Sequence, residues 1–493
     1  MTHRIIITLV FLFSFQSLIE AQEDTLRLSL PEIVALAQSD APDVLLAETR
    51  MKNRYWEFQS VLAGFRPAIS LSGELPDLNR SIDIITLPDG TDIFLQRAQM
   101  RNRVGLSLQQ SIVPTGGTIF ASTGLQRLDI FRDQADNITS YYSTPVSIGF
   151  TQPIFGFNQM KWSKKIEPLR YQEATRQFAE EMEGIAYQAA QYFFEVFISQ
   201  LDLEAATRDK ANADTLLNIS RGRFGAGRIA ETELLQVELS AMNADAAVQE
   251  ALLALQTGTE RLRNYLGIKQ AVNFKLTPPT DIPEFELDAK RALALAEENR
   301  SDMISFERQL QEASLAVARA KANSGLQMDV YGVFSLSQTA SKINDSYKDP
   351  LDNETFQVGF EIPIFDWGKA RARLETALSN RDLTHMNVEQ DRVNFQQEIL
   401  LKVKQFGLLK SKTALGLRAY DISLKREAMT RNRYYIGKYD ILDLNVAVTE
   451  KESARRGYMN ALRAYWLAYY DIRQTMLYDF ERNVSLVRPA RKY

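Results

Sequence analysis

The residues best placed to do chemistry come in two matched sets, 210 positions apart. Arg223-Phe224-Gly225-Ala226-Gly227-Arg228 corresponds to Arg433-Tyr434-Tyr435-Ile436-Gly437-Lys438. Each set puts a guanidinium, an aromatic ring, a glycine and a second cation close together. Glycine is favoured where a helix ends and the chain reverses, since it adopts positive φ without a Cβ clash. One such set is explained by a plain helical hairpin. Two sets with the same cationic and aromatic neighbours point to a surface built for docking, so the chemistry expected here is noncovalent.

Covalent chemistry has little material to work with. There is no cysteine, so disulfides, thiol nucleophiles, cysteine-held metals and lipid attachment at a cysteine are excluded. His3 and His385 are the only histidines. Composition leaves room for a catalytic carboxylate pair. However, the carboxylates stand on helical faces beside Lys and Arg, where i,i+4 pairing is the ordinary explanation. No phosphate-cradling glycine loop, serine elbow or metal-ligand cluster occurs. The expectation is a protein that is not an enzyme and has no cofactor and no metal. The net charge of −4 predicts neither nucleic acid nor an anionic membrane surface as partner.

The elements that carry the two sets are themselves duplicated. Residues 145–162 and 355–372 align at the same offset of 210: Gly149 with Gly359, Pro153 with Pro363, Ile154 with Ile364, and Phe155 with Phe365. Each run alternates polar and apolar residues, breaks at Pro-Ile-Phe, and opens into a long helical pattern. Ala35-Leu36-Ala37 and Asp43 return as Ala294-Leu295-Ala296 and Asp302 at an offset of 259. The offsets differ by 49, so the first half holds about 49 extra residues between Gly73 and Gly149. Val104, Leu106 and Leu108 alternate there, and Pro114-Thr115-Gly116-Gly117 is a turn signal. One more hairpin is expected near 76–144, with polar loops at 76–102 and 129–144.

His3 and Arg4 precede the apolar run Ile5–Phe15, and Ala21 offers a cleavage point, so 1–21 reads as a signal peptide. The first repeat is expected over 22–283, with helices at 42–64, 159–221 and 229–266. The second is expected over 284–493, with strands at 327–337 and 355–362 and helices at 369–433 and 439–477. Helices 42–64 and 229–266 together hold 61 residues against 63 in 159–221, so two short helices stacked end to end would match one long one. At about 1.5 Å per residue each such column is roughly 90–100 Å long.

The strands suit a membrane. Val146, Ile148 and Phe150 oppose Ser147, Gly149 and Thr151; Val358, Phe360 and Ile362 oppose Gly359 and Glu361. Apolar-out, polar-in alternation over about ten residues fits a membrane strand, and equally one face of a soluble sandwich. Export favours the membrane, as do aromatics where strands end: Tyr141, Tyr142, Phe155, Phe157, Trp162, Phe365 and Trp367. A sheet in lipid must close. Four or six strands are too few for one chain, because single-chain barrels begin at about eight. The barrel is therefore expected to be shared among subunits, with every helix on the periplasmic side.

In the order and doubling of these features, the chain resembles the TolC-type outer-membrane efflux channel family. The resemblance covers nearly the whole mature chain: the doubled ALAxxxxxxD helix start, the joints at Pro153, Phe155, Pro363 and Phe365, and the paired arginine-aromatic-x-x-glycine tips. It implies a mainly α fold with membrane β: an internally duplicated α-helical coiled-coil barrel continuous with a trimeric transmembrane β-barrel. It implies a homotrimer in outer-membrane lipid; that no lipid anchor is present is expected from the absence of cysteine. The tips Arg223, Phe224, Gly227, Arg228, Arg433, Tyr434, Gly437 and Lys438 would meet a periplasmic adaptor coupled to an inner-membrane transporter. The function implied is the exit duct of a tripartite efflux or type I secretion system.

The family places acidic residues just past the second tip glycine, which here gives Asp443 and, in the first half, Glu233. Three-fold repetition would make each carboxylate a cation-attracting ring. A solvated helix face is the other reading of both. The family's second acidic position holds Val446, which leaves a double acidic ring in doubt. Members commonly place two strands per half; six strands here would give eighteen per trimer unless the insertion is a surface hairpin. The competing reading is a periplasmic coiled-coil scaffold or adaptor without a pore.

Overall fold

The computed structural model describes residues 25–132, 136–279, 282–283, 285–436 and 438–487. The expected signal peptide 1–21 and the tip residue Gly437 lie outside the described residues. In chain order the elements are β1 (Thr25–Leu28), α1 (Leu30–Asp40), α2 (Pro42–Gly64), β2 (Ala68–Thr86), β3 (Asp92–Ile112), β4 (Gly117–Phe131) and β5 (Ile138–Pro153). The helices α3 (Gln159–Gly225) and α4 (Glu231–Tyr265) close the first half, followed by β6 (Asn273–Leu276). The second half has α5 (Ala289–Asn299), α6 (Ser301–Ala322), β7 (Gln327–Ala340), β8 (Leu351–Glu361), α7 (Lys369–Tyr435), α8 (Ile441–Met476), β9 (Tyr478–Asp479) and β10 (Val484–Ser485). No described helix is long and apolar enough to cross a membrane.

Two compact units divide the chain, and both repeats contribute to each. Of the described residues, a helical unit draws on those up to Leu46, within Met182–Glu286 and within Lys404–Gln474; a sheet unit draws on those within Ala47–Glu181 and Leu287–Val403 and from Thr475 on. The division thus cuts across the long helices and not between the repeats at 283.

The sheet unit is organised by one antiparallel six-stranded sheet in the order β2-β3-β4-β5-β7-β8. An even number of up-and-down strands returns the chain to the end it left, so α2, α3, α6 and α7 all join the sheet at that end. One face is apolar: Leu71 pairs with Leu106, Val104 with Leu125, Ile119 with Phe150, Ile148 with Phe334, and Val330 with Val358. The other is mostly small and polar, with Phe120, Tyr331 and Val333 as its apolar exceptions. A single rung crosses all six strands through Ser70, Ser107, Ser122, Ser147, Ser335 and Asn353. Among these, the hydroxyls of Ser70 and Ser107 are hydrogen-bonded at 2.8 Å.

Gly149 is required by its neighbours in this sheet. A Cβ there would come within 2.6 Å of the Gly332 carbonyl oxygen, the Phe120 ring and the Val333 side chain. Phe120 lies over it and stacks with Tyr331, with ring centroids 6.1 Å apart. Its repeat partner Gly359 has only the Asp329 carbonyl oxygen nearby, at 4.0 Å.

The polar stretches expected as loops at 76–102 and 129–144 are mostly strand. β2 and β3 stay paired out to Thr86 opposite Asp92, and β4 and β5 out to Ile130 opposite Ile138. Cross-strand polar pairing holds them: Arg97 meets Asp83 at 3.5 Å, and Asp129 accepts from the Thr139 hydroxyl at 2.6 Å. Apolar alternation in β2 also changes parity at an irregularity between Glu74 and Asp77, from Ile69 and Leu71 to Leu78, Ile82 and Ile84.

In the helical unit, α3 lies between α4 and α8. Arg261 of α4 reaches Glu195 at 2.6 Å and Arg221 reaches Glu238 of α4 at 3.1 Å, while Lys210 pairs with Asp245 of α4. On its other side, Arg473 of α8 grips Glu183 at 2.9 Å. Helix α7 packs on α8, where the Thr413 hydroxyl donates to the Ala461 carbonyl at 3.1 Å. Alanines 186, 189 and 190 and Phe193, Phe194 and Phe197 of α3 are buried, as are Tyr465, Tyr469 and Ile472 of α8; Tyr465 stacks on Phe406 of α7, ring centroids 5.2 Å apart. Burying such side chains stabilises by roughly 1.5–3 kcal/mol each. The parallel pair β1–β6 is tied to α3 by Gln200, whose side-chain oxygen accepts from the Leu276 amide at 3.1 Å.

Candidate functional site

Both matched sets fall at helix ends, and their backbone explains the glycines. At the end of α3, Gly227 has φ +67°. The Arg228 amide donates to the Arg223 carbonyl at 2.8 Å and the Gly227 amide to the Phe224 carbonyl at 2.8 Å. These two bonds satisfy carbonyls that a helix end would otherwise leave bare. At the end of α7 the Lys438 amide donates to the Arg433 carbonyl at 2.9 Å, the same bond 210 residues on. Each chain reversal then starts a new helix. The Asp440 carboxylate accepts from the Asp443 amide at 2.9 Å, so Asp440 caps α8.

The two tips are brought together inside one chain. The Arg223 guanidinium lies 5.4 Å from the Tyr434 ring centroid and donates to the Tyr435 carbonyl at 3.3 Å. Tyr434 is only 1% exposed and packs with Leu216, Val237, Ile441 and Leu444. It is therefore a core residue beneath Arg223, whereas its repeat counterpart Phe224 is exposed. The repeat assigns both rings the same surface role; the structure separates them, because the Tyr434 ring is enclosed by residues of α3, α4 and α8 and Phe224 is not buried. The Tyr434 hydroxyl is buried without a hydrogen-bond partner among the described residues.

The remaining tip residues face outward. Arg433 donates to the Tyr439 hydroxyl at 2.8 Å and covers its ring at 5.3 Å. Arg228, Arg433 and Lys438 are exposed, and among the described residues none of them is in an ion pair. Asp443 is exposed and Glu233 half-buried, each in the first turn of its helix. Acidic side chains are favoured there by the helix dipole. Neither carboxylate meets a cation among the described residues.

A charged clasp between α3 and α8 was not visible in sequence. Arg455 reaches Asp202 at 2.5 Å and Glu452 at 2.9 Å. Lys451 reaches Asp209 at 3.1 Å and Glu452 at 3.2 Å. Burial disfavours the charge on Glu452, but the Arg455 hydrogen bond and charge, then Lys451, outweigh it and hold the carboxyl below its ordinary value. The α3 partners Asp202 and Asp209 stand more than 240 residues from Arg455 and Lys451 in the chain, so no spacing rule finds the link between the helices.

At the joints, Pro153 is the last residue of β5 and still stands opposite Asp329; Pro363 follows the end of β8. Phe155, Phe365 and Trp367 are exposed, and Phe365 and Trp367 meet edge-on at 4.5 Å. Asp366 caps α7, accepting from the Ala370 amide at 2.6 Å. Asn158 caps α3, accepting from the Lys161 amide at 3.0 Å. Among the described residues no three His, Asp or Glu side chains gather to hold a metal ion.

Residues 118–268 and 292–476 match the family described as outer membrane efflux protein. The chain is 24% identical over 386 residues to outer membrane protein TolC of Vibrio cholerae, covering 73% of this chain and 82% of that protein. Its fold is similar to the Campylobacter jejuni CmeC outer membrane channel, with TM-score 0.65 and 15% identity, covering 91% of this chain and 85% of that one. It is also similar to the open state of the Neisseria gonorrhoeae MtrE outer membrane channel, with TM-score 0.61 and 13% identity, covering 91% and 88%.

Proposed function

Because the chain belongs to the outer membrane efflux protein family, and is thus an outer-membrane efflux channel and not an enzyme, we propose that it is the passive exit duct of a tripartite assembly. Three copies close one β-barrel in the outer membrane, and their helices form the periplasmic tunnel. An inner-membrane transporter supplies the energy, and a periplasmic adaptor docks at the helix tips.

The observation that carries the assembly is a seam without a partner in the helical unit. Leu408, Leu415, Ile422 and Met429 of α7, and Ile436 just past its end, recur every seven residues and are exposed. Leu235, Leu239 and Met242 of α4, spaced four and three apart, are exposed too, as is Leu253 eleven residues on. Seven-residue apolar repeats define a coiled-coil seam. With α3 and α8 already packed between α4 and α7, these outer stripes suit the neighbouring copies of a ring. The sheet poses the same requirement: β2 and β8 are free edges of an apolar-faced sheet, which lipid does not tolerate.

Docking at the tips is supported by the exposed cations Arg228, Arg433 and Lys438 and by the apolar Phe224 and Ile436 beside them. Three-fold symmetry makes Asp443 and Glu233 into carboxylate rings at the tunnel entrance, where they favour cations. Outer-membrane fractionation followed by unheated gel electrophoresis tests the assembly. A trimer that resists detergent is expected; a soluble periplasmic monomer would overturn it and return the poreless scaffold.

A further inference from the structure

Resting on the duct reading, we infer that the channel leaves the cell through an eighteen-stranded barrel with a hydroxyl-lined bore, wide enough for bulky hydrated cargo. The alternative is a twelve-stranded wall in which β3 and β4 form a hairpin outside the membrane.

Where the β3–β4 turn sits decides between them. Gly116 takes φ +77°, and the turn is pinned to the strand-to-helix joint. The Asn158 side-chain amide, at the start of α3, donates to the carbonyls of Val113 at 2.9 Å and Pro114 at 3.2 Å. The Gln152 amide at the end of β5 donates to the Thr115 carbonyl at 3.1 Å. On the other side, the Gln110 amide donates to the Phe65 carbonyl between α2 and β2 at 2.9 Å. The turn therefore lies at the level where every other strand meets its helix. From there β3 and β4 run as far as the strands on either side of them.

Their chemistry matches as well. Leu106, Leu108, Ile119 and Leu125 continue the apolar face set by Leu71 on one side and Ile148 on the other. Ser107 and Ser122 supply the middle of the serine rung. Phe120 of β4 fills the hollow over Gly149 of β5. A surface hairpin has no need of an apolar face in register with its neighbours, or of a glycine cut to receive it.

Barrel radius grows with strand number: at about 4.8 Å between strands and a tilt near 40°, eighteen strands give roughly 18 Å and twelve about 12 Å. Apart from Phe120, Tyr331 and Val333 packed around Gly149, the inner face is largely serine, glycine and other polar residues, which leaves most of that bore open. Sixteen- to eighteen-stranded barrels hold an aqueous channel, so this exit favours polar, hydrated cargo of about 20 Å in width over flat apolar molecules.

The absence of cysteine permits a clean test. Single cysteines replace Leu106, Ser107, Ala121 or Ser122, with Val358 and Gln357 of β8 as controls, and carry a spin label in trimers in lipid vesicles. Labels at 106, 121 and 358 should be reached by lipid-soluble oxygen, and those at 107, 122 and 357 by an aqueous nickel chelate. If the β8 controls alternate while all four β3–β4 sites are aqueous, the eighteen-stranded exit is overturned and the duct survives. If the controls themselves fail to alternate, the duct reading falls with it.

Discussion

Replacing Arg455 with Met tests whether the α3–α8 clasp holds the helical unit together. The Arg455 side chain is 9% exposed and bonds to Asp202 and Glu452. Removing one partner of a buried ion pair costs about 3–5 kcal/mol. Asp202 is 38% exposed, so water relieves part of that loss, and Glu452 keeps Lys451 at 3.2 Å. The expected cost is about 2 kcal/mol per subunit. Urea unfolding of trimers in detergent, followed by helical circular dichroism, measures it. Asp202→Asn and the double variant complete a cycle, whose coupling should be about 1 kcal/mol or more. A coupling near zero would mean that the contact is ornamental, and a stabilised Arg455→Met would mean that packing alone joins the two helices.

Acid should leave the Glu452 contribution to this clasp in place until pH falls below the ordinary glutamate value. Glu452 has a folded pKa below its unfolded one, so its contribution is present above the unfolded value and lost as pH falls through the folded value; urea midpoints that decline from pH 6 would contradict this. Gly149→Val should prevent barrel assembly, because its Cβ would meet the Gly332 carbonyl oxygen at 2.6 Å, whereas Gly359→Val, with its nearest neighbour at 4.0 Å, should still give trimers on unheated gels. Arg433→Glu should leave the trimer intact and abolish export in a cargo-efflux assay, since it reverses an exposed tip charge; normal export would argue against docking there. Asp443→Ala should lower cation preference in reversal-potential measurements, and unchanged selectivity would remove it from the entrance.

Much of this architecture is legible in the sequence because it is written twice. The offset of 210 aligns the joints at Pro153 and Pro363 and the tips at Gly227 and Gly437, and strand alternation at 146–151 and 358–362 needs only a period of two. Legibility fails where one rule is interrupted. Between Glu74 and Asp77 the irregularity changes the parity of β2, so Leu78, Ile82 and Ile84 look unrelated to Ile69 and Leu71. Asp83, Arg97, Asp129 and Thr139 look like loop residues because their partners stand on another strand. Repetition also misleads: Phe224 and Tyr434 occupy equivalent positions, yet one is exposed and the other buried. What lies around a side chain depends on which helix packs against it, and α4 and α8 differ in every residue of the clasp.

The central claim, that copies of this chain enclose one continuous duct, is tested most directly by the ionic conductance of the purified protein in a planar bilayer. The account predicts discrete, long-lived unit conductances that are cation-selective and come only from the trimer fraction. Purified trimers that insert in the bilayer and never conduct, even with Arg433→Glu or Asp443→Ala at their tips, would contradict it.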